Sequence, residues 1–203
     1  EESCFCGGFG INPFFIKNSD ISLYIIDEEF LVDINTQEGE NLVNNHLDLF
    51  INPDDKDFTY YSKLMNIFNR NKELFDLVEL NKKFKKSSNN RIWTEISDIC
   101  LGCATCSFLC PVCHCFDVFD EGSLEKGERI RVWDFCLSKD FTRMASGEDP
   151  FPERKDKIKH RFFHKFVYMP ERYGYSGCTG CGRCIKYCPV KIDIRKILSE
   201  IND

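Results

Sequence analysis

The sequence lacks the motifs that carry nucleotide, flavin or hydrolytic chemistry. Its glycine-rich stretch, GGFG at 7–10, is not a G-x-G-x-x-G fingerprint that follows a strand, so no dinucleotide-binding turn is predicted. The sequence also contains no H-E-x-x-H motif and no recognisable catalytic triad. We therefore predict no catalytic residue in this chain, and substrates are expected to react on another protein.

Long apolar runs and an excess of basic residues are also missing. No apolar run approaches the roughly 18 residues that a membrane-spanning helix needs. The 27 Lys and Arg residues are outnumbered by 33 Asp and Glu residues, giving a net charge of −6 that does not favour nucleic-acid binding. No signal peptide is visible, so a reducing cytoplasm is expected. The start at Glu-Glu-Ser, without Met, indicates a trimmed or processed form of a longer chain.

Cysteine, in contrast, is abundant and patterned. Of the thirteen cysteines, eight fall in two runs, CLGCATCSFLCP at 100–111 and CTGCGRCIKYCP at 178–189. Both runs have the form C-x2-C-x2-C-x3-C-P, with which bacterial-type ferredoxins hold [4Fe–4S] clusters. Structural zinc prefers two C-x2-C pairs or Cys/His mixtures and would leave thiolates unused. The runs predict two [4Fe–4S] clusters and the transfer of single electrons.

The spacing predicts a crossed set of ligands. In two-cluster ferredoxins the last cysteine of each run binds the other cluster. The first site is therefore predicted to contain Cys100, Cys103, Cys106 and Cys188, and the second site Cys178, Cys181, Cys184 and Cys110. Glycines at 102, 177, 180 and 182 are expected to adopt positive φ and to bring backbone N–H groups close to the sulfurs.

Five cysteines and a histidine pair remain outside these two sites. A third iron–sulfur site is predicted from four of the five remaining cysteines, and inert buried thiols are the alternative: Cys4, Cys6, Cys113, Cys115 and Cys136. His160 and His164 have the i, i+4 spacing of metal ligands. Because Lys159, Arg161 and Lys165 flank them, we interpret them as part of an ordinary basic helix face.

The apolar pattern predicts an α+β protein with three parts. Residues 1–55 form a small α+β segment, the end of a truncated upstream domain, with a hairpin at 23–34, a turn at Gly39 and a short helix at 41–50. Residues 56–90 form a helical connector, as one long helix or two short ones, ending in the basic stretch NKKFKKSSNNR. That stretch is either a solvated linker or a docking patch for an acidic partner. Residues 91–203 form a mostly helical two-cluster domain, with helices predicted at 93–100, 153–168 and 192–201 and an extended segment at 129–133.

A family resemblance accompanies these patterns. WTEISDICLGCATCSFLCPVCHCFDVFD, RIRVWDFC, HRFFHKF and GCTGCGRCIKYCPVKIDI are similar to one family of iron–sulfur subunits, which serves anaerobic sulfite reductase and, as the beta subunit, NAD(P)-linked sulfhydrogenases. The similarity covers about 90–203 strongly, whereas CFCGGFG and LYIIDEEFLVDI match weakly. The 67 residues between Cys110 and Cys178 resemble the long link of α-helical ferredoxin domains.

The resemblance implies an electron-transfer subunit with two protein partners. One partner would be a flavin subunit that handles NAD(P)H. The other would be a catalytic subunit, expected first to be a sirohaem sulfite reductase and alternatively a [NiFe] hydrogenase of the sulfhydrogenase type. A reductase with its own catalytic cluster is a further alternative. A DNA-binding regulator is disfavoured, because no helix-turn-helix pattern is present.

Overall fold

The computed structural model describes residues 2–12, 19–26, 28–69 and 75–201, which have the predicted α+β architecture. The chain divides into an N-terminal unit, Cys6–Leu74, and a C-terminal unit, Glu1–Phe5 with Phe75–Asp203. The predicted boundary at residue 91 therefore falls inside the C-terminal unit. No helix in the described ranges combines the length and apolarity needed to cross a membrane.

A β-hairpin opens the regular structure of the N-terminal unit, as predicted. β1 (Ile21–Ile26) pairs antiparallel with β2 (Glu29–Ile34), with Ile21 opposite Ile34. Tyr24 is buried, and its ring meets that of Tyr61 edge-on at a centroid distance of 5.2 Å. Burial, with a smaller contribution from Tyr61, raises the pKa of Tyr24 to about 12. Asp27, within the predicted hairpin, lies outside the described residues.

The turn predicted at Gly39 was wrong, because Gly39 lies inside a helix. α1 (Gln37–Asn44) begins after Thr36, whose hydroxyl accepts a hydrogen bond from the Gly39 N–H. A Cβ at Gly39 would lie 2.2 Å from the carbonyl oxygen of Asp20. Glycine is needed there for close packing, and the helix predicted at 41–50 begins earlier and ends at Asn44. A 3₁₀ turn, Leu47–Leu49, follows it.

The helical connector predicted at 56–90 consists of two helices, which is the second of the two predicted alternatives. α2 (Asp55–Asn69) belongs to the N-terminal unit, and α3 (Leu77–Lys86) to the C-terminal unit. The linker interpretation of 81–91 was wrong for most of its length, since α3 continues to Lys86 and a 3₁₀ turn spans Ser87–Asn89. Phe84 is fully buried, so the basic residues belong to the exposed face of an amphipathic helix.

Aromatic rings form the core of the C-terminal unit. α4 (Ile92–Ile99) contributes Trp93 to this core, and α6 (Arg154–Phe163) contributes Phe162. The ring centroids of Trp93 and Phe162 are 5.6 Å apart. Phe84 of α3 stacks on Phe166 at 5.1 Å. The Trp93 indole N–H donates to the Ser87 carbonyl oxygen at 2.7 Å, so its polar edge is satisfied.

A π-helical turn extends α6, so the helix predicted at 153–168 is confirmed with an irregular end. The turn covers His164–Tyr168 and leads into α7 (Met169–Tyr173). The Asn81 amide of α3 donates to the carbonyl oxygens of Phe166 and Val167 at 3.3 and 3.4 Å. These bonds tie α3 to the irregular turn, and such turns occur frequently at functional sites.

The remaining elements surround the two cysteine runs. α5 (Thr105–Phe108) and α8 (Arg183–Lys186) are single turns inside the runs. β3 (Phe116–Gly122) and β4 (Gly127–Trp133) form an antiparallel, almost wholly exposed hairpin whose turn lies between Gly122 and Gly127. α9 (Ile194–Glu200) closes the chain and buries Ile194, Ile197 and Leu198, which confirms the predicted C-terminal helix.

Candidate functional site

The two cysteine runs adopt the same backbone conformation. Gly102 and Ala104 of the first run have φ of 70° and 61°, and Gly180 and Gly182, at the equivalent places, have φ of 65° and 73°. Each left-handed pair is followed by a helical turn, α5 or α8. The repeated spacing in the sequence therefore produces two copies of one loop.

Backbone N–H groups point at cysteine sulfurs in both loops. The N–H of Gly102 donates to Cys100 Sγ, and that of Gly180 to Cys178 Sγ, each at 3.4 Å. Hydrogen bonds of this kind stabilise a metal-bound thiolate and help to set its reduction potential. The prediction of positive φ at Gly177 was wrong. A Cβ there would lie 2.7 Å from the Lys165 Cα, so the glycine permits close packing.

The first cavity gathers the four cysteines of the first site. Cys100, Cys103 and Cys106 line it together with Cys188, the last cysteine of the second run. Apolar side chains, such as Ile96, Ile158 and Phe162, form much of the remaining wall. The Ile192 N–H donates to Cys188 Sγ at 3.3 Å.

The second cavity gathers the other crossed set. Cys178, Cys181 and Cys184 line it with Cys110, the last cysteine of the first run. Burial raises the pKa of Cys178, and raises that of Cys184 to about 11. Nearby positive charge favours the thiolate forms, and bound iron would add to it. Cys184 also lines the first cavity, so the two cavities are adjacent.

Basic residues of α6 and its π turn hold both loops. Arg154 donates to the Cys100 carbonyl oxygen at 2.7 Å, and Arg161 to that of Cys106 at 2.9 Å. Lys165 donates from Nζ to the Gly177 carbonyl oxygen at 2.8 Å and to Cys110 Sγ at 3.3 Å. One helix thus fixes the two loops with respect to each other.

Arg161 is shared by the two cavities. It lines both, and its side chain is buried. Burial lowers the pKa of Arg161, but the surrounding cysteines, of which Cys106 has the largest effect, together raise it by more, so it stays above its ordinary value. Its Nε is buried and has no hydrogen-bond partner among the described residues. An acceptor bound next to Nε would satisfy that donor.

The structure brings three of the five remaining cysteines together. The thiols of Cys115 and Cys136 form a hydrogen bond at the base of the β3–β4 hairpin. This hydrogen bond and burial raise the pKa of Cys136, with a smaller contribution from the charge of Cys113. The Cys113 thiol and the Lys165 ammonium hold the pKa of Cys110 well below its usual range. Cys4 belongs to the same unit and Cys6 to the other. Within the described ranges, no three His, Cys, Asp or Glu side chains converge to hold a single metal ion. The third iron–sulfur site remains a prediction.

The two helical histidines lie among aromatic rings. His160 packs on Phe151 at a centroid distance of 4.2 Å and lies parallel to His164 at 6.1 Å. Burial lowers the pKa of both imidazoles, with a smaller effect from Lys157 on His160. Their neutral forms are favoured in this half-buried position.

Sequence reasoning missed Arg161 and Lys165, which it assigned to a basic helix face. A usable signal was present, because Lys157, Arg161 and Lys165 recur every four residues along a helix that also carries core phenylalanines. A basic residue on the buried face of such a helix needs an anionic partner.

The chemistry of the donor set fits iron–sulfur clusters. The second cavity is lined by four cysteines and the first by five, because Cys184 lines both, and Arg161 also lines both cavities. Thiolates are the ligands that iron–sulfur clusters require. When bound, the clusters would supply one-electron chemistry, and the chain's own residues would hold, shield and charge-balance them.

Comparisons with known proteins agree with this chemistry. Residues 99–192 match the family described as "4Fe-4S dicluster domain". The chain is also 30% identical over 211 aligned positions to "Sulfhydrogenase 2 subunit beta" of Pyrococcus furiosus. The alignment covers 100% of the chain and 60% of that relative, so the chain spans less than two thirds of the relative's length. No solved structure matches the chain. Residues 99–192 therefore carry a 4Fe–4S dicluster domain, in a chain that is similar over its whole length to part of a sulfhydrogenase beta subunit.

Proposed function

We propose that this chain relays single electrons, through two [4Fe–4S] clusters with crossed ligands, between two other subunits of an oxidoreductase complex. The observation that carries the proposal is the pair of adjacent cavities, each lined by the first three cysteines of one run and the last cysteine of the other, with Cys184 lining both. Each crossed set supplies four thiolates, which is the ligand requirement of one cluster. The shared residues Cys184 and Arg161 keep the two redox centres close, as a relay requires.

The complex that we propose is of the sulfhydrogenase type. The named relative is a sulfhydrogenase beta subunit, and this supports the alternative drawn from the family resemblance. The comparisons give no support to the first expectation, an anaerobic sulfite reductase. In the proposed complex a flavin subunit exchanges electrons with NAD(P)H, and a [NiFe] catalytic subunit handles hydrogen. We place the complex in the cytoplasm, where reduced thiols persist.

The proposed relay is tested by anaerobic affinity purification of the full chain from its native cells. The complex is assayed for hydrogen-dependent reduction of NAD(P)⁺, for NAD(P)H-dependent reduction of sulfite, and for the subunits that co-purify. Hydrogen-linked activity, together with co-purifying flavin and [NiFe] subunits, supports the proposal. Sulfite reduction by a co-purifying sirohaem subunit would show that the complex is a sulfite reductase and not a sulfhydrogenase. The proposal that this chain relays electrons would still hold.

Two matched variants distinguish a loss of electron relay from a failure of the complex to assemble. Cys103→Ser and Cys181→Ser each change a cysteine that lines one cavity only. In complexes that still contain all subunits, we expect either variant to abolish electron transfer between NAD(P)H and the catalytic subunit. Hydrogen uptake with an artificial dye that accepts electrons directly from the catalytic subunit should persist. Unchanged NAD(P)H-linked activity in both variants would overturn the relay.

A further inference from the structure

Three buried basic side chains follow one face of α6 and its π turn. Lys157, Arg161 and Lys165 are 5%, 6% and 4% exposed, and their spacing of four residues places them on the same side. Lys157 has a carboxylate partner, since its Nζ lies 2.6 Å from Asp149 Oδ2. In the part of the chain that the structure describes, Arg161 and Lys165 contact carbonyl oxygens and cysteine sulfurs and form no ion pair with a carboxylate.

A buried cation without an anionic partner is strongly unfavourable. The nearest candidate anions are the thiolates of the two cavities, which must be deprotonated to hold iron, so that a cluster with its four thiolates carries net negative charge. The positions of the two basic residues differ, because Arg161 lines both cavities and Lys165 lines the second. Each cation therefore has a defined set of cysteines on which it acts.

We propose that Arg161 raises the reduction potentials of both iron–sulfur clusters and that Lys165 raises the potential of the second cluster alone. This inference rests on the proposed function, since it assumes a cluster in each cavity. Lys165 and Arg161 are positioning charges in this proposal and are not iron ligands.

The direction of the effect follows from charge. Reduction adds one negative charge to a cluster, so a nearby buried positive charge stabilises the reduced state. Lys165 Nζ is 3.3 Å from Cys110 Sγ, and a hydrogen bond to a ligand sulfur adds to the effect. Low dielectric in the buried site reduces solvent screening of this interaction.

The contacts of Lys165 explain its selectivity. Its ammonium also reaches Cys113 Sγ at 3.6 Å and the Gly177 carbonyl oxygen, which precedes Cys178. All three acceptors are at or next to the second site. The first cavity, by contrast, receives its positive charge from Arg161, whose NH2 donates to the Cys106 carbonyl oxygen.

The test is an anaerobic redox titration of the full chain, followed by electron paramagnetic resonance. The two one-electron steps are assigned beforehand with Cys103→Ser and Cys181→Ser. Lys165→Met should decrease the reduction equilibrium constant of the second cluster about tenfold, which is about 59 mV for one electron, and leave the first unchanged. Lys165→Arg should keep both potentials. Lys155→Met, which removes an exposed lysine from the same helix, is the matched control for net charge.

Arg161→Gln should lower both potentials, and Arg161→Lys should keep them within about threefold of the wild-type equilibrium constants. If Lys165→Met or Arg161→Gln loses its iron, its potentials cannot be compared. The charge-preserving variant at the same position, Lys165→Arg or Arg161→Lys, then provides the test. If the charge-preserving variant retains its iron and its reduction potentials, the result supports the proposal. If it also loses iron, the side chain has a packing role and the proposal is overturned. The proposal would also be overturned if Lys165→Met shifted the reduction potentials of both clusters equally or shifted neither. The same holds if Lys155→Met shifted the potential of the second cluster as much as Lys165→Met does. Absence of two one-electron steps in the wild-type protein would contradict the proposed function itself.

Discussion

The backbone N–H of Phe5 donates a hydrogen bond to the carbonyl oxygen of Gly180 at 2.7 Å. Gly180 lies between the first two cysteines of the second run, and Phe5 lines the second cavity. Near the same contact, a Cβ on Gly182 would lie 2.1 Å from the carbonyl oxygen of Ser3. The first residues of the chain therefore form part of the wall of the second site.

Gly182→Ala is expected to damage the second site selectively. The new methyl group would displace residues 3–5, so we predict loss of the second cluster, or about four of eight iron atoms per chain. Iron analysis and electron paramagnetic resonance of the dithionite-reduced protein measure this loss. Gly174→Ala is the control, because Gly174 also has positive φ (77°) but open space around it. Equal iron loss in both variants would point to backbone strain and contradict the packing explanation.

Crossed ligation predicts that two cysteines act at a distance in the sequence. Cys110→Ala should remove or alter the second cluster more than the first, although Cys110 belongs to the first run. Cys188→Ala, its counterpart, should do the reverse. The spectra of the reduced variants report which cluster is affected. If each substitution affected only the cluster of its own run, the crossed assignment would be wrong.

Phe84→Ala is expected to destabilise the C-terminal unit. The side chain is fully buried and its ring packs against Phe166, so its removal should cost about 3–5 kcal/mol. Phe119→Ala, at a 42% exposed position in β3, should change stability by less than about 0.5 kcal/mol. Anaerobic thermal unfolding of both variants makes the comparison. Similar unfolding midpoints would contradict the central position of Phe84 in the core.

A third cluster, if Cys113, Cys115 and Cys136 contribute to one, would raise the iron content. The anaerobically purified full chain should then contain about twelve iron atoms instead of about eight. Cys136→Ser should lower the value by about four without affecting the two one-electron steps of the first and second sites. A wild-type value near eight would exclude the third cluster and favour buried thiols.

The sequence was most informative where spacing alone determines structure. The two cysteine runs predicted two equivalent loops, and their φ angles agree at Gly102 and Gly180. Period and turn signals also predicted the β1–β2 hairpin and the helices that flank both runs, because amphipathic patterns and glycine turns are local properties.

The missed features depend on contacts between distant residues. Gly39 resembles a turn residue in the sequence, yet it is required by the close approach of Asp20 to a helix. The basic stretch from Asn81 has the composition of a linker, but Phe84 within it packs against Phe162 of α6 and Phe166 of the π turn. The contact of Lys165 likewise joins it to Cys110, 55 residues away in the sequence.

The most direct test of the central claim is a redox titration of the anaerobically purified full chain with iron and sulfide analysis. The account predicts at least about eight iron and eight sulfide per chain, and two signals of reduced [4Fe–4S] clusters, each following a one-electron curve. Stoichiometric zinc in place of iron, or iron without one-electron steps, would contradict it.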